Sequence, residues 1–291
     1  MKKPVFTGCA TALLTPFTED NKIDSDALSR LIDRQIDAGI SALAVCATTG
    51  ECATLEDGEF ESIVSFAVKR AAGRIPVVAG TGRNSTEKTF ALSQTAEKCG
   101  AAALLCVTPY YNKTTQKGLV EHYYYLADRV NIPIIVYNVP SRTGMSVTPE
   151  TYAELSKHPN IYGAKEASGD LSPIARAAAQ SQNDFTFYSG NDDQTLAIYS
   201  LGGRGVISTV SNIAPEKVVS LCAAWEKGDV SRARALQFEL LPLCDALFAE
   251  VNPIPLKAAA EMLGLCNGSL RLPLTRASDK TRELIKKALG I

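Results

Sequence analysis

The sequence of 291 residues predicts an α/β protein, a (β/α)8 TIM barrel with a C-terminal helical appendage. Short apolar or β-branched runs alternate with longer segments of helical periodicity. The runs end near Leu14, Cys46, Gly80, Val107, Tyr137, Lys165, Ser189 and Ser208. Their ends are spaced by roughly 20 to 35 residues, as successive βα units require. Eight units favour a closed barrel over a doubly wound sheet, and no G-x-G-x-x-G fingerprint follows the first run.

Helix start signals precede the segments between these runs. Asp24-Ser25 opens the first helix, which we expect to end before Gly39. Ser85-Thr86-Glu87 opens another that runs to Gly100, and Thr148-Pro149-Glu150 opens a third with proline near its first turn. The strand and helix patterns therefore predict the same fold.

The alternation stops after about Gly228, and three helical stretches follow without strands between them. They span residues 230–250, 256–263 and 278–289. We interpret Asn252-Pro253-Ile254-Pro255, between the first two, as a breaker. Residues 1–228 are therefore expected to form the (β/α)8 barrel, and residues 229–291 a C-terminal helical domain.

The composition excludes several classes of function. Thirty basic and 31 acidic residues are interspersed, so no basic surface for nucleic acid or anionic membrane is expected. Eight cysteines without a C-x-x-C pair are typical of reduced thiols in a cytoplasmic protein. Two histidines, His122 and His158, leave little from which to build a zinc site, whereas plentiful acidic residues leave a magnesium-type site open.

Two of the predicted strands end on residues with reactive side chains. Lys165 follows the run Ile161-Tyr162-Gly163-Ala164, and Tyr137 follows residues 132–136. Burial disfavours the charged form of a lysine, and a neutral amine is a nucleophile toward carbonyl carbon. The pair suggests Schiff-base chemistry, although a lone lysine at such a place more often marks only where a strand reaches solvent.

Candidate binding residues follow other strands, because the working residues of a (β/α)8 barrel lie at the carboxyl ends of its strands. Thr48-Thr49-Gly50 offers hydroxyl and backbone N–H groups for a carboxylate, or else a helix-capping turn. Tyr110-Tyr111 offers phenols, although tyrosines in loops most often pack with their hydroxyls in water. Arg142 offers a planar fork for a carboxylate, although alone it is more typical of a surface residue.

Together these residues suggest a mechanism that requires no cofactor. Lys165 attacks a 2-oxo acid to form an imine, and the α-carbon of the imine then loses a proton. Tyr137, Thr48 and a second tyrosine relay protons. The resulting enamine adds to an aldehyde whose carboxylate is held by Arg142.

Four segments, in order and at the family's spacing, resemble the dihydrodipicolinate synthase family. They are Thr48-Thr49-Gly50-Glu51, Thr108-Pro109-Tyr110-Tyr111-Asn112, Tyr137-Asn138-Val139-Pro140-Ser141-Arg142-Thr143-Gly144 and Lys165-Glu166-Ala167-Ser168-Gly169-Asp170. The resemblance covers essentially the whole chain, including Asn252-Pro253-Ile254-Pro255. It implies condensation of pyruvate with L-aspartate 4-semialdehyde to 4-hydroxy-tetrahydrodipicolinate, in lysine and diaminopimelate biosynthesis.

The resemblance also implies residue roles, without a cofactor or a metal. By its motifs, Lys165 is the Schiff-base lysine and Tyr137 the general acid and base. A proton relay is completed by Thr48 and by Tyr111, the latter donated across a subunit interface of a homotetramer. Thr49 helps to bind the carboxylate of pyruvate, and Arg142 binds the carboxylate of the semialdehyde. Backbone carbonyls near Gly190 and Ile207 line the pocket.

Other readings of the chain remain open. N-acetylneuraminate lyase and sugar-acid aldolases share the lysine, the tyrosine and the barrel. They usually carry Ser-Thr in place of Thr48-Thr49 and lack the paired tyrosines, so this sequence favours the synthase. A silent barrel that only binds oxo acids is disfavoured because every chemical position is filled.

Feedback-inhibited members bind lysine at a dimer interface, and among the matching positions of this sequence only Asn84 and Tyr110 fit their pattern. The positions that depart from it are Cys52, Ala53, Asp57, Phe60 and Lys88. Lys88 stands where those members have an acidic residue that pairs with the amino group of bound lysine. A like charge there opposes lysine binding. We therefore expect weak or absent inhibition by lysine.

Overall fold

The computed structural model describes residues 2–291 and confirms the closed parallel barrel, in which β8 pairs with β1. The strands are β1 (Gly8–Ala12), β2 (Ala42–Val45), β3 (Val77–Gly80), β4 (Ala103–Val107), β5 (Ile134–Asn138), β6 (Ile161–Glu166), β7 (Thr186–Ser189) and β8 (Gly205–Ser208). Every predicted strand end lies within two residues of the observed one. The apolar runs therefore located all eight strands.

Helices separate the strands and cover the barrel. They are α1 (Ser25–Asp37), α2 (Asp57–Ala71), α3 (Thr86–Lys98), α4 (Gln116–Ala127), α5 (Pro140–Thr143), α6 (Pro149–Ser156), α7 (Leu171–Gln180), α8 (Thr195–Ser200) and α9 (Pro215–Glu226). The predicted starts of three helices are confirmed by capping side chains. Asp24, Ser85 and Thr148 each accept a hydrogen bond from a backbone N–H in the first turn of α1, α3 and α6.

Side chains of the strands alternate between the barrel interior and the helical layer. The interior carries many small residues, among them Ala10, Ala42 and Ala103, together with the larger Tyr137 and Tyr188. Outward-facing residues of the same strands join a separate apolar cluster with the helices. Small interior residues leave room for the rings of the two tyrosines near the barrel axis.

A C-terminal helical part follows the barrel and consists of α10 (Val230–Leu247), α11 (Ile254–Met262) and α12 (Asp279–Leu289). The prediction that residues 252–255 break the chain between helices was wrong in its second half, because α11 begins at Ile254. Pro255 lies in the first turn, where a missing N–H costs nothing. The division into domains at residue 228 stays a prediction. Within residues 2–291, the helices are too short or too polar to cross a membrane.

Candidate active site

The structure pairs the two reactive residues predicted from the strand ends. Tyr137 on β5 and Lys165 on β6 are register partners, so both side chains point into the barrel. The Lys165 Nζ lies 4.4 Å from the centroid of the Tyr137 ring, and the lysine is only 4% exposed. An amine over a ring face is held electrostatically in a defined position. A nucleophile and a phenol are thus preformed at one end of the barrel.

Gly190 lies directly against Lys165. A Cβ atom at position 190 would lie 3.0 Å from the lysine Cε and 2.9 Å from the carbonyl oxygen of Glu166. The Gly190 N–H donates to that same oxygen at 2.6 Å. Only glycine therefore leaves room for the lysine side chain here. Ile207 on β8 is fully buried and belongs to the same interior apolar cluster as Tyr137.

Thr48-Thr49-Gly50 folds as a single 3-10 turn after β2, with no side chain capping it. Thr48 and Tyr137 line the same small cavity. The Thr49 hydroxyl is buried, lies 3.4 Å from that of Thr209, and accepts a hydrogen bond from the Asn252 side chain at 3.0 Å. The turn is therefore positioned within the interior end of the barrel and does not serve as a helix cap.

Arg142 occupies the short helix α5 above the carboxyl end of β5 and is exposed. One of its N–H groups donates to the carbonyl oxygen of Asn252 at 2.9 Å. Asn252 thus contacts both Arg142 and Thr49, the two residues predicted to bind carboxylates. The sequence indicated Asn252 only as part of a breaker. Its partners lie far away in the chain, and no local pattern reveals them.

The structure does not bring Tyr111 to the other predicted catalytic residues. Its side chain is 91% exposed, and its backbone has a φ of +71° in the loop after β4. A tyrosine held in the left-handed region without packing around it is unusual for an ordinary loop residue. A single chain therefore gathers Lys165, Tyr137 and Thr48 and leaves Tyr111 facing outward.

Asp192, after β7, is a buried acid near the amine that sequence reasoning missed. It accepts hydrogen bonds from the Ser208 hydroxyl and from the backbone N–H groups of Thr209 and Val210, the latter two at 2.9 and 3.2 Å. Burial raises the pKa of Asp192, while these bonds and the charge of Lys165 oppose the rise. Its place just beyond a barrel strand end was the available signal.

A second buried carboxylate lies behind the barrel wall. Glu166 follows Lys165 and faces outward, where it accepts hydrogen bonds from Asn138, Tyr152 and Ser168. Burial raises the pKa of Glu166, and the three bonds oppose the rise. This network joins β5, β6 and α6 immediately behind the reactive pair.

The site presents organic functional groups suited to carbonyl chemistry. It combines an amine, a phenol and hydroxyls inside the barrel with an exposed guanidinium at the rim. These groups can form an imine, transfer protons and hold carboxylates. Within residues 2–291, no group of three or more His, Cys, Asp or Glu side chains is arranged to hold a metal ion.

Comparisons with known proteins cover nearly the full chain. The model of the dihydrodipicolinate synthetase family matches residues 5–291. The 4-hydroxy-tetrahydrodipicolinate synthase of Thermoanaerobacter sp. (strain X514) is 50% identical over 288 residues, which is 99% of this chain and 97% of that protein. The crystal structure of dihydrodipicolinate synthase from Thermotoga maritima has a TM-score of 0.96 at 46% identity and covers 98% of both chains.

A further structure, the synthase from Cyanidioschyzon merolae with lysine bound, has a TM-score of 0.96 at 35% identity and covers 99% of this chain and 98% of that one. The similarity in sequence and in structure thus extends over the barrel and the C-terminal helices alike. The chain belongs to the dihydrodipicolinate synthetase family.

Proposed function

We propose that this protein is a 4-hydroxy-tetrahydrodipicolinate synthase, which condenses pyruvate with L-aspartate 4-semialdehyde through a Schiff base on Lys165. The pairing of Lys165 with Tyr137 across β5 and β6 carries this proposal. The names of the full-length relatives support it. The product lies on the route to diaminopimelate and lysine.

The proposed reaction begins with attack of the Lys165 amine on C2 of pyruvate. Loss of water gives an iminium, which draws electrons from C3 so that C3 can lose a proton and become the carbon of an enamine. Tyr137 and Thr48, which share a cavity, move the protons of these steps. The enamine then attacks the aldehyde carbon, and the amino group of the semialdehyde displaces Lys165 as the ring closes.

The two carboxylates of the substrates are assigned to separate places. Thr49 helps to hold the carboxylate of pyruvate, and backbone carbonyls near Gly190, which lies against Lys165, and near Ile207 line the pocket. Arg142 holds the carboxylate of the semialdehyde at the rim. The hydrogen bond to Asn252 supports this assignment, because it fixes one edge of the guanidinium and leaves other N–H donors for a ligand.

Tyr111 is assigned to the site of a neighbouring subunit in a homotetramer. Its exposure in the single chain supports this, because an ordered tyrosine that faces outward is suited to insertion into a partner. Co-expression of Tyr111→Phe with Lys165→Ala subunits tests it. Mixed pairs contain one intact site, so about one quarter of wild-type activity should return when pairing is random. If each site uses its own Tyr111, the mixture stays as inactive as its parts.

The protein is assigned to the cytoplasm. All eight cysteines carry free thiols. Unpaired thiols are typical of reducing compartments. Fractionation of cells of the source organism should place the protein with cytoplasmic markers, and recovery in the envelope or the medium would contradict this assignment.

Feedback inhibition by lysine is expected to be weak or absent. Lys88 is exposed on α3 and presents a positive charge at the position that pairs with the amino group of lysine in inhibited members. We expect millimolar lysine to leave the initial rate essentially unchanged. Lys88→Glu, which restores an acidic side chain at this position, should show increased sensitivity. Strong inhibition of the wild type would refute this expectation.

An assay with alternative substrates tests the reaction itself. Purified protein is supplied with pyruvate and L-aspartate 4-semialdehyde, and the product is reduced by a coupling enzyme. In parallel, cleavage of N-acetylneuraminate and of sugar acids is followed by release of pyruvate. Turnover with the semialdehyde should exceed the others by orders of magnitude. Preference for N-acetylneuraminate or a sugar acid would identify a sibling aldolase.

A further inference from the structure

A fully buried ion pair joins the threonine turn to the C-terminal helices. Glu51 directly follows Thr48-Thr49-Gly50, and its carboxylate contacts the Nζ of Lys257 on α11. The two side chains are 1% and 0% exposed. A charged pair removed from water in this way is weak support for stability by itself, because desolvation offsets its attraction. Its position beside the site therefore calls for a functional explanation.

Glu51 also shapes the backbone of the turn. Its φ is +55°, in the left-handed region that residues other than glycine rarely adopt. In this conformation its N–H donates to the carbonyl oxygen of Thr48 at 3.0 Å and closes the 3-10 turn. Its carboxylate is held on both sides, by Lys257 and by the backbone N–H of Arg271 at 3.1 Å. These contacts maintain a conformation that the residue would otherwise avoid.

Lys257 is itself fixed on several sides. Its Nζ donates to the carbonyl oxygen of Ser269 at 2.6 Å and lies 4.1 Å from the centroid of the Phe17 ring. The guanidinium of Arg271 lies 4.2 Å from the same ring and binds both carboxylate oxygens of Glu59. Burial lowers the pKa of Lys257, and the charge of Glu51 opposes this fall. The ammonium therefore depends on Glu51 as its counter-charge.

The segment that leads into the helix of Lys257 contacts both predicted carboxylate sites. The Lys257 N–H donates to the carbonyl oxygen of Pro253 in the first turn of α11. The preceding residue, Asn252, donates from its side chain to the Thr49 hydroxyl and accepts from Arg142 at its carbonyl. One short segment thus contacts the threonine turn twice, through Asn252 and through the ion pair, and contacts Arg142 once.

We propose that Glu51 and Lys257 are positioning residues, which hold the Thr48-Thr49-Gly50 turn against α11 and so set where the pyruvate carboxylate lies relative to Lys165 and Arg142. This inference rests on the proposed function. It makes the C-terminal helices a structural part of the active site. A displaced turn weakens pyruvate binding and misaligns its carbonyl carbon with the amine.

Three variants test this proposal. Lys257→Met leaves the Glu51 carboxylate buried without its partner, Glu51→Gln removes the charge while keeping the shape, and the double variant removes both charges. For each we measure the KM of pyruvate, the KM of the semialdehyde, kcat, the pyruvate dependence of borohydride trapping, and the thermal midpoint. We expect Lys257→Met to raise the KM of pyruvate about tenfold or more, with an equal shift in trapping. The double variant also lacks the contact that holds the turn, so its KM of pyruvate should stay raised, whereas its thermal midpoint should recover because no unpaired charge remains buried.

Lys286→Met is the matched control. Lys286 lies on α12 and pairs with Glu283 at the surface, so its loss should leave every constant within about twofold of wild type. If Lys257→Met does not fold, Glu51→Gln and the double variant carry the test, with the same shift in pyruvate KM expected for Glu51→Gln. Folded variants with lower thermal midpoints but wild-type pyruvate constants overturn the proposal. Failure of the wild type to trap pyruvate instead overturns the proposed function.

Discussion

Two polar pairs stand back to back on β5 and β6. Tyr137 and Lys165 face the barrel interior, whereas Asn138 and Glu166, one residue further along each strand, face the helical layer. In the inner pair an amine rests on a ring face. In the outer pair an amide donates to a carboxylate that also binds Tyr152.

The two pairs therefore have different roles: the inner pair is placed for chemistry, and the outer pair supports the strands. The inner groups line the barrel end, where a small cavity lies between Tyr137 and Thr48. The outer carboxylate accepts hydrogen bonds from β5, from α6 and from the loop after β6, and this network supports the strands that carry the inner pair. Variants of the inner pair should therefore change rates with little effect on stability, and variants of the outer pair should do the opposite.

Tyr137→Phe should show the largest effect on the inner face. The ring that contacts Lys165 is kept, and only the proton-transferring hydroxyl is lost. We expect kcat to fall by about 10²- to 10⁴-fold, the range for one general acid or base. Steady-state assays measure kcat, and thermal unfolding measures the stability of the same variant. A large fall in the thermal midpoint would place Tyr137 among the supporting residues instead.

Arg142→Ala extends the comparison to the exposed rim. It removes a charge-assisted contact worth about 1.5 to 3 kcal/mol, so we expect the KM of the semialdehyde to rise roughly 10- to 100-fold. Trapping with pyruvate alone should be unchanged, because the imine forms deeper in the barrel. A matching loss of trapping would mean that the rim and the interior are not separate sites.

Glu166→Ala should show the smallest effect on rate and a clear effect on stability. It leaves the buried Tyr152 hydroxyl without its acceptor and takes one of two acceptors from the Asn138 amide, and one buried unpaired group costs about 1 to 3 kcal/mol. We expect the unfolding free energy to fall by this order while kcat stays within about tenfold. Tyr152→Phe is the milder companion, since it removes one donor only. Denaturant unfolding and kinetics on the same samples provide the comparison.

The sequence predicted the barrel closely because its signals are local. Alternating apolar runs and capping residues such as Asp24 and Ser85 determine strands and helices within a few positions. The inner pair was also predicted, since strand ends in a barrel converge at one rim. Local patterns were sufficient where the chemistry depends on the place of a residue along its own strand.

Contacts between distant segments could not be predicted in the same way. Asn252 gave only a breaker signal, yet it contacts both Thr49 and Arg142. The pairing of Glu51 with Lys257 joins a residue just after β2 to a residue of α11, which follows the last strand of the barrel. Neither has a periodicity or spacing that reveals its partner, and Tyr111 cannot be placed in a site by one chain alone.

Covalent trapping of pyruvate tests the central claim most directly. Wild-type protein and Lys165→Ala are incubated with pyruvate and borohydride, and each intact mass is measured before and after. We expect the wild type to gain the mass of one reduced pyruvate adduct per chain, located by peptide mapping at Lys165, and Lys165→Ala to gain none. Absence of an adduct on the wild type, or an adduct that persists in Lys165→Ala, would contradict the assignment of Lys165 as the Schiff-base residue.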